Sequence, residues 1–179
     1  DALSFCNWQG KTLPTEAQFE FAARGGREGQ IYSWGDQPIH REQGVTNHWQ
    51  GTFPIENENT DGHAGSAPVG SYPANDFGLY DITGNVWEWV SDWYHPNAYV
   101  ILKDRNPIGV TRHQSFDPSE PNLPKRGIRG GSFLCSENYC QGFRVSARMP
   151  ADPESATNHT GFRCVIPTRS NRLDAVWLN

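Results

Sequence analysis

Between residues 31 and 125 the chain never runs far without a glycine, proline, asparagine or aspartate, and this punctuation limits its fold more than any other feature. Pieces such as Tyr32-Ser33-Trp34-Gly35-Asp36, Trp49-Gln50-Gly51 and Tyr72-Pro73-Ala74-Asn75-Asp76-Phe77-Gly78 end before a helical or a strand period is established. They predict turns and ordered loops rather than long strands. Only residues 86–93, 127–134 and 161–165 read as strands. Residues 103–124, rich in proline and glycine and of mixed charge, read as the most mobile loop.

Helical signals are confined to the first 26 residues. Ala2, Phe5 and Cys6 fall at i, i+3 and i+4, with Gly10 placed to end that helix. A second helix is announced by Thr15 and Gln18, which have capping-box spacing. Its buried stripe is Phe19, Ala22 and Ala23, and Gly25-Gly26 stop it. With 18 Gly, 13 Pro and 7 Trp, the core is expected to be aromatic side chains packed under loops. The fold class is α+β, loop-rich, with little regular secondary structure.

A chain of 179 residues is one domain in length. No apolar run approaches the roughly 18 residues that cross a bilayer, so no membrane partner is expected. Asp1 to Cys6 reads as the inside of an amphipathic helix rather than a leader, as if the chain begins in mid-fold. The formal net charge of −5 argues against a nucleic-acid partner, which requires a basic face.

So much irregular backbone needs partners for its polar groups, and bound cations are one source. Asn47 and Asp61 flank an acidic, glycine-containing loop, and Asp81 and Glu88 bracket a tight turn at Gly84-Asn85. Calcium takes six to eight oxygens from loops of this type. Acidic turns that are simply solvated fit the same spacing.

Four cysteines allow three pairings. Cys135 and Cys140 lie behind Gly130-Gly131-Ser132, and a close pair of this kind is a disulfide, a redox couple or a soft-metal clamp. Their spacing puts them on opposite faces of an ideal strand, so any of the three requires a bent backbone. The 6 histidines form no ligand cluster.

Taken together, several segments resemble the formylglycine-generating, or sulfatase-modifying factor, enzymes. They are Gly10-Lys11-Thr12-Leu13-Pro14-Thr15-Glu16-Ala17, Ala22-Ala23-Arg24-Gly25-Gly26 and Trp49-Gln50-Gly51-Thr52-Phe53-Pro54. Gly78 through Trp89, Arg129-Gly130-Gly131-Ser132 and Gly161-Phe162-Arg163-Cys164 continue the match. It spans residues 1–166, leaving 167–179 as a tail. Most of these motifs mark the superfamily, which includes inert paralogues and binding modules. The Gly-Gly-Ser-x-x-Cys-x-x-x-Tyr-Cys segment resembles the catalytic thiol pair itself.

The resemblance implies a loop-rich fold with a C-type-lectin-like core, lacking the family's N-terminal third. It implies that Cys135 and Cys140 bind Cu(I), that Ser132 and Trp87 belong to the active site, and that Cys6 and Cys164 form a structural disulfide. Asn47 and Asp61, with the carbonyls of His48 and His63, match one calcium site. Asp81 and Glu88, with the carbonyls of Gly84 and Val86, match a second. A second disulfide of the vertebrate enzymes would fall at Ala23 and Val145, and Ser136 stands where those enzymes have histidine.

The activity implied is oxidation of a peptidyl cysteine, in a Cys-x-Pro-x-Arg segment of a nascent or unfolded sulfatase, to formylglycine by dioxygen. Two thiolates supply the soft ligation that selects Cu(I), whereas zinc would want four ligands. The alternative is a noncatalytic member that binds peptide or protein on the same scaffold. A monomer is expected, in the cytoplasm for a bacterial source and in the endoplasmic reticulum lumen for a eukaryotic one.

Overall fold

A computed structural model describes residues 1–39, 44–102, 105–167 and 175–177. Helix α1 (Ala2–Trp8) ends as its sequence requires. Gly10 adopts φ +71°, and the Gly10 and Lys11 amides donate to Asn7 and Cys6, closing the helix in a Schellman motif. Helix α2 (Glu16–Arg24) begins at the predicted capping box of Thr15 and Gln18 and stops at Gly25 in the left-handed region. Phe19, Ala22 and Ala23 form its buried stripe.

The α1 stripe is a correction. Cys6 is fully buried, but Phe5 and Trp8 are 47% and 78% exposed. Phe5 instead packs edge-on against Phe162, 5.6 Å between ring centroids. The helix is held through Cys6, whose disulfide to Cys164 spans 5.5 Å between Cα atoms.

Strand β1 (Trp87–Trp93) is the centre of a small mixed sheet. It pairs antiparallel with β2 (Arg126–Arg129), which pairs antiparallel with β3 (Met149–Ala151). The two-residue β4 (Thr160–Gly161) runs parallel to β1 on its other edge. The expected strand 127–134 ends at Arg129, because Gly130 and Gly131 take φ +91° and +77° and turn the chain out of the sheet. The expected strand 161–165 is divided between β4 and β5 (Val165–Pro167), and β5 pairs with β6 (Ala175–Trp177) in a second, two-stranded sheet.

Residues 105–124 are tied down rather than loose. Val110 bridges to Trp93, Phe116 N donates to Tyr94 O, and Asp117 is buried. One-turn helices at α3 (Ala98–Ile101) and at Arg112–Gln114 were not visible as hydrophobic periodicity. No helix among the described residues is long and apolar enough to cross a membrane.

Alternation along β1 separates two cores. Val90 joins Phe19, Ala22, Ala23, Leu79, Ile82 and Val145 beneath α2. Ala23 and Val145 thus share one apolar cluster at the positions where a second crosslink would fall. Trp87 faces the other way, into a cluster with Ile39, Ile128, Cys135 and Phe143.

Buried charge locks α2 to the sheet. The wholly buried Arg129 donates to Glu16 at 3.1 Å, to Glu20 at 2.7 Å and to Val145 O at 2.7 Å. Arg148 adds two further bonds to Glu16. Asp92 accepts the Glu16 amide at 2.8 Å, satisfying a buried donor that has no intrahelical partner at the helix start. Burial, with the charge of Glu16 behind it, pushes the Asp92 carboxyl up to about 6, against the bonds from Glu16 N and Ser91 and the charge of Arg148.

A raised carboxyl pKa means that the folded state holds the proton more tightly than the unfolded chain. The contribution is therefore full at low pH and lost as pH rises through about 6 from the ordinary 3.8. Two units correspond to about 3 kcal/mol. Asp92→Asn is expected to flatten this segment of the stability–pH curve, measured by urea unfolding at intervals across it. An unchanged slope in the variant would remove Asp92 as its source.

Candidate active site

The loop after β2 carries the thiol pair. Cys135 N donates to Ser132 O at 2.9 Å, and the Tyr139 and Cys140 amides both return to Ser136 O. These turns supply the bend that the spacing demands and bring the Cys135 and Cys140 Cα atoms to 4.6 Å, the two sulfurs joined as a disulfide. Cys135 is buried, whereas Cys140 is partly exposed.

Trp87 and Cys135, 48 positions apart, meet through a residue that sequence reasoning did not single out. A Cβ on Gly142 would lie 2.5 Å from the Trp87 indole and 3.0 Å from Cys135 Sγ. Gly131 approaches the same backbone, since its Cβ would lie 2.7 Å from Gly142 C and Phe143 N. Two glycines thus allow the indole, the thiol loop and the turn after β2 to close on one another. Phe143, Ile39, Tyr32 and Trp34 complete this wall, with Tyr32 and Trp34 stacked at 4.8 Å. The only early sign was glycine itself, placed two residues after Cys140 and before a phenylalanine.

Ser132 is fully buried at the root of the loop, its Oγ accepting from Leu134 N at 3.3 Å. Outside the loop, Trp49 N donates to Cys135 O at 2.9 Å. The Trp49 segment also supplies Phe53, which stacks on the exposed Tyr139 at 4.2 Å. Trp49, His48, Asp61, Tyr72, Ser136 and Glu137 border a cavity of about 830 Å³ beside the thiol loop.

The first oxygen-bearing loop fits a cation. Asn47 is 1% exposed, and among the described residues its Oδ1 is a buried acceptor without a hydrogen-bond partner, although its Nδ2 donates to Gly65 O and Asn85 Oδ1. A buried acceptor left bare costs about 1–3 kcal/mol, which a cation would recover. Asp61 is oriented by His63 N and the Tyr72 hydroxyl. Burial first, then Asp61, raises the Tyr72 phenol, while burial lowers the His48 imidazole.

The second loop is different. Both Glu88 carboxylate oxygens accept from Arg163 at 2.6 Å, and the same guanidinium reaches the Tyr80 and Asp81 carbonyls. The Asp81 carboxylate accepts from Gly70 N, and Gly84 N donates to Gly130 O. Glu88 is thus already paired with a positive charge, that of the Arg163 guanidinium.

Two thiols at this separation also suit a soft metal. Among the described residues no cluster of three or more His, Cys, Asp or Glu side chains is placed to hold a metal, so the four-ligand set that zinc wants does not assemble around them. Cys135 and Cys140 fit the two-thiolate ligation that favours Cu(I).

Residues 1–168 match the profile of the sulfatase-modifying factor enzyme 1-like domain. A formylglycine-generating enzyme of Thermomonospora curvata is 43% identical over 92% of this chain and 52% of its own length. An inactive C-alpha-formylglycine-generating enzyme 2 of Bos taurus is 39% identical over 92% of the chain and 46% of its own. The structure of PvdO from Pseudomonas aeruginosa superposes with a TM-score of 0.62 at 25% identity, over 90% of this chain and 57% of that one. The chain spans about half the length of the curated relatives it matches.

Gly142→Ala is expected to lower stability by about 1–3 kcal/mol, because the indole or the thiol loop must give way. It should also shift tryptophan emission as Trp87 moves. Denaturant unfolding and fluorescence measure both, and a variant matching the parent in the two would contradict the close approach.

Proposed function

The chain belongs to the sulfatase-modifying factor enzyme family, and on that premise we propose that it oxidises a peptidyl cysteine of an unfolded sulfatase to Cα-formylglycine. The observation that carries this reading is the convergence of Cys135 and Trp87 on Gly142, with Cys140 held beside Cys135, within a chain 43% identical to a formylglycine-generating enzyme. The substrate segment is Cys-x-Pro-x-Arg, the oxidant dioxygen, and the cofactors Cu(I) at Cys135 and Cys140 and Ca²⁺ at the Asn47–Asp61 loop. No side chain activates dioxygen unaided, and copper bound by the two thiolates would supply that chemistry.

The chain's own residues do the rest. The turns from Ser132 to Cys140 hold the two sulfurs close enough to bind as a pair. Trp87, Ile39, Ile128 and Phe143 keep water from the Cys135 side, leaving Cys140 as the approach. Ser132 spends an oxygen lone pair on Leu134 N, so its hydroxyl proton remains to donate toward a thiolate. At the substrate the Cβ–S bond breaks, sulfur leaves as sulfide, and a carbon–oxygen double bond forms. That removes two electrons from the carbon. The other two that dioxygen needs come from two external thiols, which join as a disulfide, and the second oxygen atom leaves as water.

Cys135→Ser and Cys140→Ser are each expected to abolish conversion of a sulfatase-derived peptide, followed by mass spectrometry in aerobic buffer with Cu(I) and thiol. Cys6→Ser should retain conversion but lose about 2–4 kcal/mol of stability, since that disulfide closes a loop of 158 residues. A parent protein that leaves the peptide unchanged favours the second reading, a noncatalytic peptide- or protein-binding member. The inactive relative at 39% identity is what supports that alternative.

For the cation, added Ca²⁺ should raise the melting temperature of the parent and leave that of Asn47→Ala unmoved. Equal responses would show that Asn47 is not a ligand.

A further inference from the structure

Asn85 stands at the meeting point of the three loops that build the site. It lies two positions before Trp87, is 6% exposed, and holds φ +61°, a left-handed conformation that asparagine tolerates better than most residues. Its amide donates to Asn47 O at 2.9 Å, and its carbonyl accepts from Phe133 N at 2.8 Å. Its side-chain Oδ1 accepts from Ala67 N at 2.8 Å and Asn47 Nδ2 at 3.2 Å, while Nδ2 donates to Ala67 O at 3.3 Å. Every polar group of the residue is therefore engaged, and each bond goes to a different stretch of chain from its own.

Two of these bonds reach the thiol pair by short routes. Phe133 is two residues from Cys135. Asn47 is two residues from Trp49, whose amide holds Cys135 O at 2.9 Å. The thiol loop is thereby gripped before and at Cys135, and both grips trace back to Asn85. Gly84 packs the preceding position against Asn47 O, where its Cβ would come within 2.6 Å.

We propose that the Asn85 side chain is a positioning group for Cys135 and Cys140: it pins the Gly84-Asn85 turn to Ala67 and to the Asn47 side chain, so that the turn's backbone bonds to Phe133 and Asn47 hold the thiol loop against Trp87. The role rests on the geometry of the pair and holds whether or not the pair binds copper.

The equilibrium between dithiol and disulfide reads this positioning directly. In it, the Cys135 and Cys140 thiols and oxidised glutathione give the intramolecular disulfide and two molecules of reduced glutathione. Closing the ring depends on how well the loop holds one sulfur near the other. Asn85→Gly keeps the left-handed backbone and its two backbone bonds but removes the side-chain clamp. It is expected to shift the glutathione equilibrium constant of this pair by about fivefold, the effect of one typical hydrogen bond.

The Cys6–Cys164 disulfide, followed in the same samples by mass spectrometry after alkylation, should be unaffected. A folded Asn85→Gly whose constant stays within twofold of the parent overturns the proposal, as does a shift shared equally by the two cysteine pairs. Should Asn85→Gly not fold, Asn85→Asp decides. It keeps the Oδ1 acceptor and loses the Nδ2 donor, so a shift of twofold or more supports the role and an unchanged constant refutes it. Peptide conversion is not part of this readout, so a noncatalytic protein would still show the shift.

Discussion

Hydrogen bonds from the Gly84-Asn85 turn do for this chain what a ladder does for a regular sheet. Gly84 N holds Gly130 O, Asn85 O holds Phe133 N, and Asn85 N holds Asn47 O. Loops that would otherwise leave polar backbone groups unpaired are thereby paired with one another across long sequence separations. Both residues take positive φ, +76° and +61°, which lets the turn point its amides and carbonyls in the required directions. Trp87, the first residue of β1, follows after Val86, so the turn that ties the loops also launches the central strand.

The sheet then has two jobs, one on each side. Beneath α2, the buried Arg129 with Glu16, Glu20 and Arg148 fixes helix to strand. Burial alone would raise the Glu20 carboxyl, but the Arg129 charge and the bonds from Tyr99, Arg24 and Arg129 bring it below its ordinary value. Removing one partner from such a cluster strands the remaining charge in the interior, which costs several kcal/mol. On the opposite side the requirement is proximity rather than charge, and Gly131 and Gly142 meet it by having no Cβ. A rigid charged clamp on one face leaves the other free to be built from loops.

Features encoded within a few residues were legible in the sequence. The Thr15–Gln18 box, the Gly10 and Gly25 stops and the β1 strand all depend on neighbours three or four positions away. The thiol pair was legible for the same reason. Contacts joining distant segments were not. Nothing local in Gly142 announces that it separates Trp87 from Cys135, and nothing in Arg163 announces that it grips Glu88. Phe5 was misread because periodicity marks an apolar face without saying what covers it, and here its partner is the half-exposed Phe162. The end of β2 was misread although Gly130-Gly131 lay in plain view, because strand composition resumes in Phe133-Leu134 beyond the turn.

The family match and the geometry bear on one small volume, where a close thiol pair meets an indole on a glycine through Cys135. Its chemistry depends on whether those thiols act as a ligand pair. Competitive titration of the reduced protein with Cu(I), against a chromophoric chelator, tests this most directly. The account predicts one equivalent of Cu(I) bound per chain, abolished when either Cys135 or Cys140 is replaced by serine. Copper uptake that survives both replacements, or none in the reduced parent, would contradict it.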